Sequence, residues 1–187
     1  MNVPETLTAA LPFMLKYQGQ TVVIKYGGNA MTDDAIKKSV LSDILLLKTL
    51  GINVVLVHGG GPAINELLDK YGKESKFING LRYTDEETAE LALTALSGMV
   101  NKSLVRDIQR LGGEAIGISG IDGRMIEVEQ LSEDLGFVGE ITKINTEIIE
   151  RIAKTTAIPV IATAGVDAAG EIYNVNADTA ASRIAGE

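Results

Sequence analysis

Three short stretches hold residues that could do chemistry. In VVIKYGGNA (residues 22–30), Lys25 stands near the end of an apolar run, and Gly27 and Gly28 follow it. In VVLVHGGGP (residues 54–62), the design recurs without the lysine: an apolar run, then His58, three glycines and Pro62. The third stretch is Asn174–Val175–Asn176–Ala177–Asp178. A helix N-terminus preceded by bare backbone is an anion site, because unpaired N–H groups and the helix dipole both favour negative charge. Two such loops and a strand-end ammonium point to two anionic groups held close together.

Each feature also has a plainer reading. The glycines can serve only as tight strand-to-helix turns. Lys25 can be an edge lysine with its head in water. Arg82, in NGLRYT, can be a solvated loop charge, and His58 a core histidine that satisfies a backbone group. The usual nucleotide fingerprints are absent. No Gly-Lys-Ser/Thr follows either loop, and GGGPAI does not complete G-x-G-x-x-G because position 64 is Ile.

The elements that must position these residues are written in the apolar pattern. Leu7, Leu11, Met14 and Leu15 recur at helical spacing over residues 5–17, with Pro12 expected to kink that helix. TVVIKY reads as a strand. Thr32 and Asp33 can cap a helix that ends at Gly51, and INVVLV is the next strand. Pro62 suits the first turn of a second helix, PAINELLDKY. GKESKFINGLRY reads as loop or hairpin. Thr84 with Glu87 forms a capping-box pattern for one long helix over roughly 85–110. EAIGIS, MIEVE and GFVGEITKI read as strands, Asn145 as the cap of a further helix, and IPVIATAG as a buried strand. VDAAGEIY reads as a hairpin and NADTAASRIAG as the opening of a last helix. Alternating strands and helices with continuous Val/Ile runs predict an α/β three-layer sandwich with a mainly parallel central sheet.

Composition narrows the function classes. The chain has 187 residues, 45% hydrophobic and 22% charged, enough for one sizeable domain. Acidic residues outnumber basic ones 25 to 17, which argues against a nucleic-acid binder. There is no cysteine and one histidine, which removes disulfides, thiol nucleophiles and His-rich metal sites and leaves little room for a His-based triad. No apolar run approaches ~18 residues and no basic leader precedes an apolar stretch, so a cytoplasmic protein without membrane span or metal-ligand residues is expected.

VVIKYGGNAM, VLVHGGGPAIN, NGLRYTDEET, GFVGEI and YNVNADTAAS occur in this order. Together they resemble the acetylglutamate kinases, of the amino-acid kinase family, over essentially the whole chain. The Lys-x-Gly-Gly start is shared across the wider family, and GGNA also occurs in carbamate kinases. The HGGGP, Gly-Leu-Arg and Asn-Val-Asn-Ala-Asp segments fit acetylglutamate kinases better. Another amino-acid or carbamate kinase of the same fold is the alternative enzyme.

The resemblance implies transfer of the γ-phosphoryl of ATP, with Mg2+ bound mainly through the nucleotide phosphates, to the side-chain carboxylate of N-acetyl-L-glutamate in arginine biosynthesis. Such an acceptor is already ionised and needs no general base, so catalysis reduces to positioning and charge neutralisation. By the same resemblance Lys25 would lie on the transferring phosphoryl group, and Asp178 would orient Lys25. Gly27 and Gly28 would let phosphate oxygens approach the backbone, with Gly60 and Gly61 doing the same on the acceptor side. Arg82 would take the substrate α-carboxylate and Asn174 would hydrogen-bond the acceptor. These enzymes continue past residue 187, so residues 20–187 are expected to be the acceptor-binding part. Most of the nucleotide site and a second catalytic lysine would lie beyond. A catalytically silent acetylglutamate-binding module is the rival for the chain as it stands. Residues 1–19 resemble the arm that interlaces dimers into hexamers in arginine-inhibited members, so a homo-oligomer and L-arginine inhibition are expected of the full-length protein.

Overall fold

The computed structural model describes residues 2–187. Its centre is a four-stranded, all-parallel sheet. From edge to edge its strands are β1 (Thr21–Tyr26), β2 (Asn53–His58), β8 (Ala157–Ala162) and β5 (Glu114–Ser119). The register aligns Tyr26 with His58, His58 with Ala162, and Ala162 with Ser119, so all four carboxyl ends form one row.

The continuous apolar runs divide between two faces. Val54 and Leu56 of β2 pack with Leu41 and Ile44 of α2 (Asp34–Thr49) and Leu104 and Ile108 of α5 (Asn101–Arg110). Val55 and Val57 face the other way, toward Ile149 of α6 (Glu147–Ala153) and Ala180 and Ile184 of α7 (Ala177–Gly186). That second face also carries a mixed sheet. Its strands, in spatial order, are β10 (Ile172–Asn174), β9 (Ala164–Val166), β6 (Ile126–Gln130) and β7 (Gly139–Ile144). The predicted parallel centre and layers are present, with this second sheet sharing a layer expected to be helical. A single residue, Thr163, separates β8 from β9, so this stretch leaves one sheet and enters the other at the row of strand ends.

The loop after α3 (Gly61–Lys70) is a hairpin, β3 (Phe77–Ile78) paired with β4 (Leu81–Arg82). Asn79 (φ +50°) and Gly80 (φ +82°) supply the two left-handed residues that a tight two-residue turn needs. The predicted 85–110 helix exists as a continuous helical path that is not uniform. α4 (Glu86–Leu93) passes into a π-helical stretch, Thr94–Val100, before α5. The extra residue in the π turn rotates α5 relative to α4, so the buried face runs through Ala92 and Leu96 and then Asn101, Leu104 and Ile108. Two caps shift by one residue. Asp85, not Thr84, caps α4 by accepting from the Thr88 N–H at 2.8 Å, while Glu87 pairs with Lys73. Thr146 rather than Asn145 stands at the cap position of α6, while the Asn145 amide donates to Glu127 at 2.9 Å and to the Arg124 carbonyl.

α1 (Val3–Tyr17) is capped by Asn2, a signal the apolar periodicity did not reveal, and remains one helix across Pro12. Of the expected 1–19 arm, Met1 lies outside the described residues. Leu7, Leu11, Phe13 and Leu15 are all about half exposed or more, so the apolar face of α1 is not buried against its own sheet. Among the described residues no helix is long and apolar enough to cross a membrane.

Candidate active site

Beyond the row of strand ends lies an open cavity of about 290 Å3. Lys25, Gly27, Gly28, Gly60, Gly61, Arg82, Asn174 and Asp178 all line it. The residues singled out from distant stretches of sequence thus meet at one place.

Lys25 leaves β1 one residue before its end, and its Nζ lies 3.1 Å from Asp178 Oδ1. The side chain folds back over Gly27, where an added Cβ would stand 3.0 Å from Nζ. A side chain at position 27 would crowd the lysine's path, and Gly28 (φ +63°) suits the left-handed backbone turn. Asp178 sits in the first turn of α7. Asn176 caps that helix, its Oδ1 accepting from the N–H groups of Asp178 and Thr179 at 3.0 Å each. Asn174 ends β10, its N–H donating to the Phe137 carbonyl at 2.9 Å.

The second glycine loop is compressed between two elements. A Cβ on Gly59 would lie 3.2 Å from the Ala177 methyl, and one on Gly60 2.7 Å from Leu96 Cδ2. A Cβ on Gly61 would meet nothing within 4 Å, so the loop is packed on one side and open on the other. Gly60 caps α3 and Gly61 is its first residue, so their N–H groups belong to those that a helix cannot satisfy by itself.

Arg82 departs from the solvated-charge reading. It is buried, with 7% of its surface exposed, and its guanidinium is held by neutral groups. One terminal nitrogen donates to Ser75 Oγ at 2.7 Å and the other to Asn65 Oδ1 at 2.7 Å, with the Phe77 ring centroid 4.8 Å away. The β3–β4 register that pairs Phe77 with Arg82 creates this stacking. Burial lowers the Arg82 pKa from its ordinary value, and among the described residues no carboxylate pairs with it. A buried guanidinium with N–H donors to spare and no counter-ion is suited to receive an anion.

His58 fits the core reading. It is fully buried, and burial, with a smaller push from Lys102, lowers its pKa from 6.5 to about 4, leaving a neutral ring at physiological pH. Sequence reasoning missed Thr163, Asn65, Ser75 and Phe77. Thr163 lines the cavity and donates to the His58 carbonyl at 3.3 Å. A hydroxyl at the end of an apolar strand was the available signal for it. Asn65 and Ser75 become partners of Arg82 only through folding. Among the described residues no group of three or more His, Asp or Glu is arranged to hold a metal ion.

The cavity therefore carries Lys25 and Arg82, one carboxylate already paired with Lys25, and the N-termini of α3 and α7. This arrangement of cations and helix N-termini favours anions.

Comparison with known proteins identifies what the chain resembles. Over 99% of its length the chain is 70% identical to an acetylglutamate kinase of Lactococcus lactis subsp. cremoris, and it spans 65% of that relative's length. An N-acetylglutamate synthase from Neisseria gonorrhoeae, solved with coenzyme A and N-acetyl-glutamate, shares the fold. It superposes with a TM-score of 0.83 at 21% identity over 99% of this chain and 43% of that one. A Giardia carbamate kinase superposes with a TM-score of 0.64 at 14% identity, over 90% of this chain and 68% of that one. The profile of the amino acid kinase family matches residues 20–187, and the chain belongs to that family.

Proposed function

We propose that the protein to which this chain corresponds transfers the γ-phosphoryl group of ATP to the side-chain carboxylate of N-acetyl-L-glutamate, a step of arginine biosynthesis. A carboxylate oxygen forms a bond to the γ-phosphorus while the bond to the β,γ-bridging oxygen breaks. Its electron pair leaves with ADP, and the product is an acyl phosphate. No proton is transferred, which suits a cavity without an available base. The observation that carries the reading is the meeting of Lys25 and the unpaired Arg82 on one cavity, between two helix N-termini. The identity to enzymes named acetylglutamate kinase supports this acceptor over carbamate and over a silent binding module.

In this reading Lys25 stabilises charge on the transferring group, oriented by Asp178 at 3.1 Å. Gly27 and Gly28 admit phosphate oxygens, while Gly60 and Gly61 present N–H groups. Arg82 takes the α-carboxylate and Asn174 bonds the acceptor. Mg2+ would be carried by the phosphates rather than by a carboxylate cage in residues 20–187, the acceptor-binding part. The rest of the nucleotide site would lie in the further length the relatives have. ATP as the donor favours a cytoplasmic reaction. The exposed apolar side chains of α1 support a self-association arm; a hexamer and L-arginine inhibition of the full-length protein follow from the family resemblance of residues 1–19.

The test is a hydroxamate-trapping assay on the full-length protein with ATP and Mg2+. Product is expected with N-acetyl-L-glutamate. Turnover of carbamate or free glutamate with none of N-acetyl-L-glutamate would refute the assignment.

A further inference from the structure

The glycine loop of the cavity is held from behind by two buried side chains, His58 and Asn101, that do not themselves line the cavity. His58 Nδ1 lies 2.9 Å from the Gly59 carbonyl oxygen, and His58 Nε2 lies 3.1 Å from Asn101 Nδ2. The amide nitrogen of Asn101 also approaches the carbonyls of Val160 in β8 (2.9 Å) and Ile118 in β5 (3.2 Å), while its Oδ1 accepts from Lys102 at 3.1 Å. The Gly59 carbonyl can only accept, so its contact is a hydrogen bond when Nδ1 carries the proton; Nε2 is then bare and shares the two amide hydrogens of Asn101 with the Val160 and Ile118 carbonyls. The π-helical stretch brings Asn101 to this place, since an unbroken α-helix would turn it off the buried face.

The consequence reaches the cavity through peptide geometry. The Gly59–Gly60 peptide is planar and trans, so its C=O and its N–H point in opposite directions. Holding the Gly59 oxygen therefore also sets the direction of the Gly60 N–H, in a residue whose missing Cβ leaves the backbone freer to rotate.

We propose that Asn101 and His58 are positioning residues: Asn101 fixes the histidine tautomer, and His58 holds the Gly59–Gly60 peptide plane so that the Gly60 N–H is aimed before the anion arrives. The inference rests on the phosphoryl-transfer reading for what that N–H serves, and on geometry alone for the relay. It assigns the lone histidine a role that involves no proton transfer.

Nitrogen-15 NMR of the full-length protein, with the His58 ring signals assigned through their correlations to the residue 58 backbone, reads the tautomer. A protonated Nδ1 and a bare Nε2 are expected; the opposite tautomer overturns the relay. Two variants separate its halves. In His58→Asn the amide nitrogen takes the place of Nδ1 and can still donate to Gly59, whereas in His58→Gln the side-chain oxygen can accept from Asn101 but the Gly59 bond is lost. H58Q should lower kcat about 10-fold or more with little change in either Michaelis constant, since an oriented donor matters most in the transition state. H58N should recover most of that loss. Equal losses in both variants, or none in either, would reduce His58 to packing and overturn the proposal. Should both variants fail to fold, the tautomer decides. An inactive native enzyme with the expected tautomer would defeat the phosphoryl-transfer reading and leave the relay standing; an active one with the opposite tautomer would do the reverse.

Discussion

Acid should weaken this protein through His58. The ring is fully buried and its pKa falls from 6.5 to about 4 because burial disfavours the imidazolium, with Lys102 adding repulsion. The unfolded chain therefore takes up a proton first as pH drops. Stability is unaffected above about pH 6.5, declines below it, and stops declining on this account below about pH 4. The whole interval corresponds to about 3 kcal/mol. Between about pH 7.5 and about pH 5 the loss should be roughly 2 kcal/mol, a window in which the histidine is the main side chain to titrate. Urea unfolding at these two pH values, on the native protein and on His58→Gln, measures it. The glutamine variant will be weaker at neutral pH, yet its loss across the window should be small. An equal loss in both proteins, or none in the native one, would refute the reasoning. The histidine would then be protonated when folded or exposed to water.

Lys25→Ala in the full-length protein should lower kcat about 100-fold and leave acetylglutamate binding nearly unchanged, because one preorganised charge contact to the transferring group is lost. Steady-state kinetics read both, and an unchanged kcat would remove Lys25 from the chemistry. Arg82→Lys should chiefly raise the Michaelis constant for the acceptor, since an ammonium cannot bond Ser75, Asn65 and a carboxylate in the plane of a guanidinium. A normal Michaelis constant with a collapsed kcat would contradict that role. Deleting residues 1–19 should reduce the mass of the assembly by light scattering and blunt the response to L-arginine. If both are unchanged, α1 is no contact between subunits.

Much of this was legible in the chain itself. The Val/Ile runs of β1, β2 and β8, the glycines after them and the polar Asn174–Asp178 segment predicted a parallel sheet with an anion site at its carboxyl ends. Periodicity and backbone-permissive residues are local properties, so sequence determines them directly. Local reading failed where a residue had more than one competent partner. Thr84 and Asp85 could each cap α4, and spacing could not say that the Thr84 hydroxyl would instead donate to the Arg82 carbonyl at 2.9 Å. The π turn at Thr94–Val100 carries no marker in composition, because it arises from fitting Asn101 and Leu96 to strands and a loop brought there by other elements. Arg82 shows the division most plainly. Sequence supplied a guanidinium two residues after an Asn-Gly turn; only the tertiary structure decided that it would be buried between Phe77, Ser75 and Asn65 rather than solvated. The desolvation and the neutral hydrogen bonds that keep its charge available for an anion come from residues that adjacency in the chain does not connect.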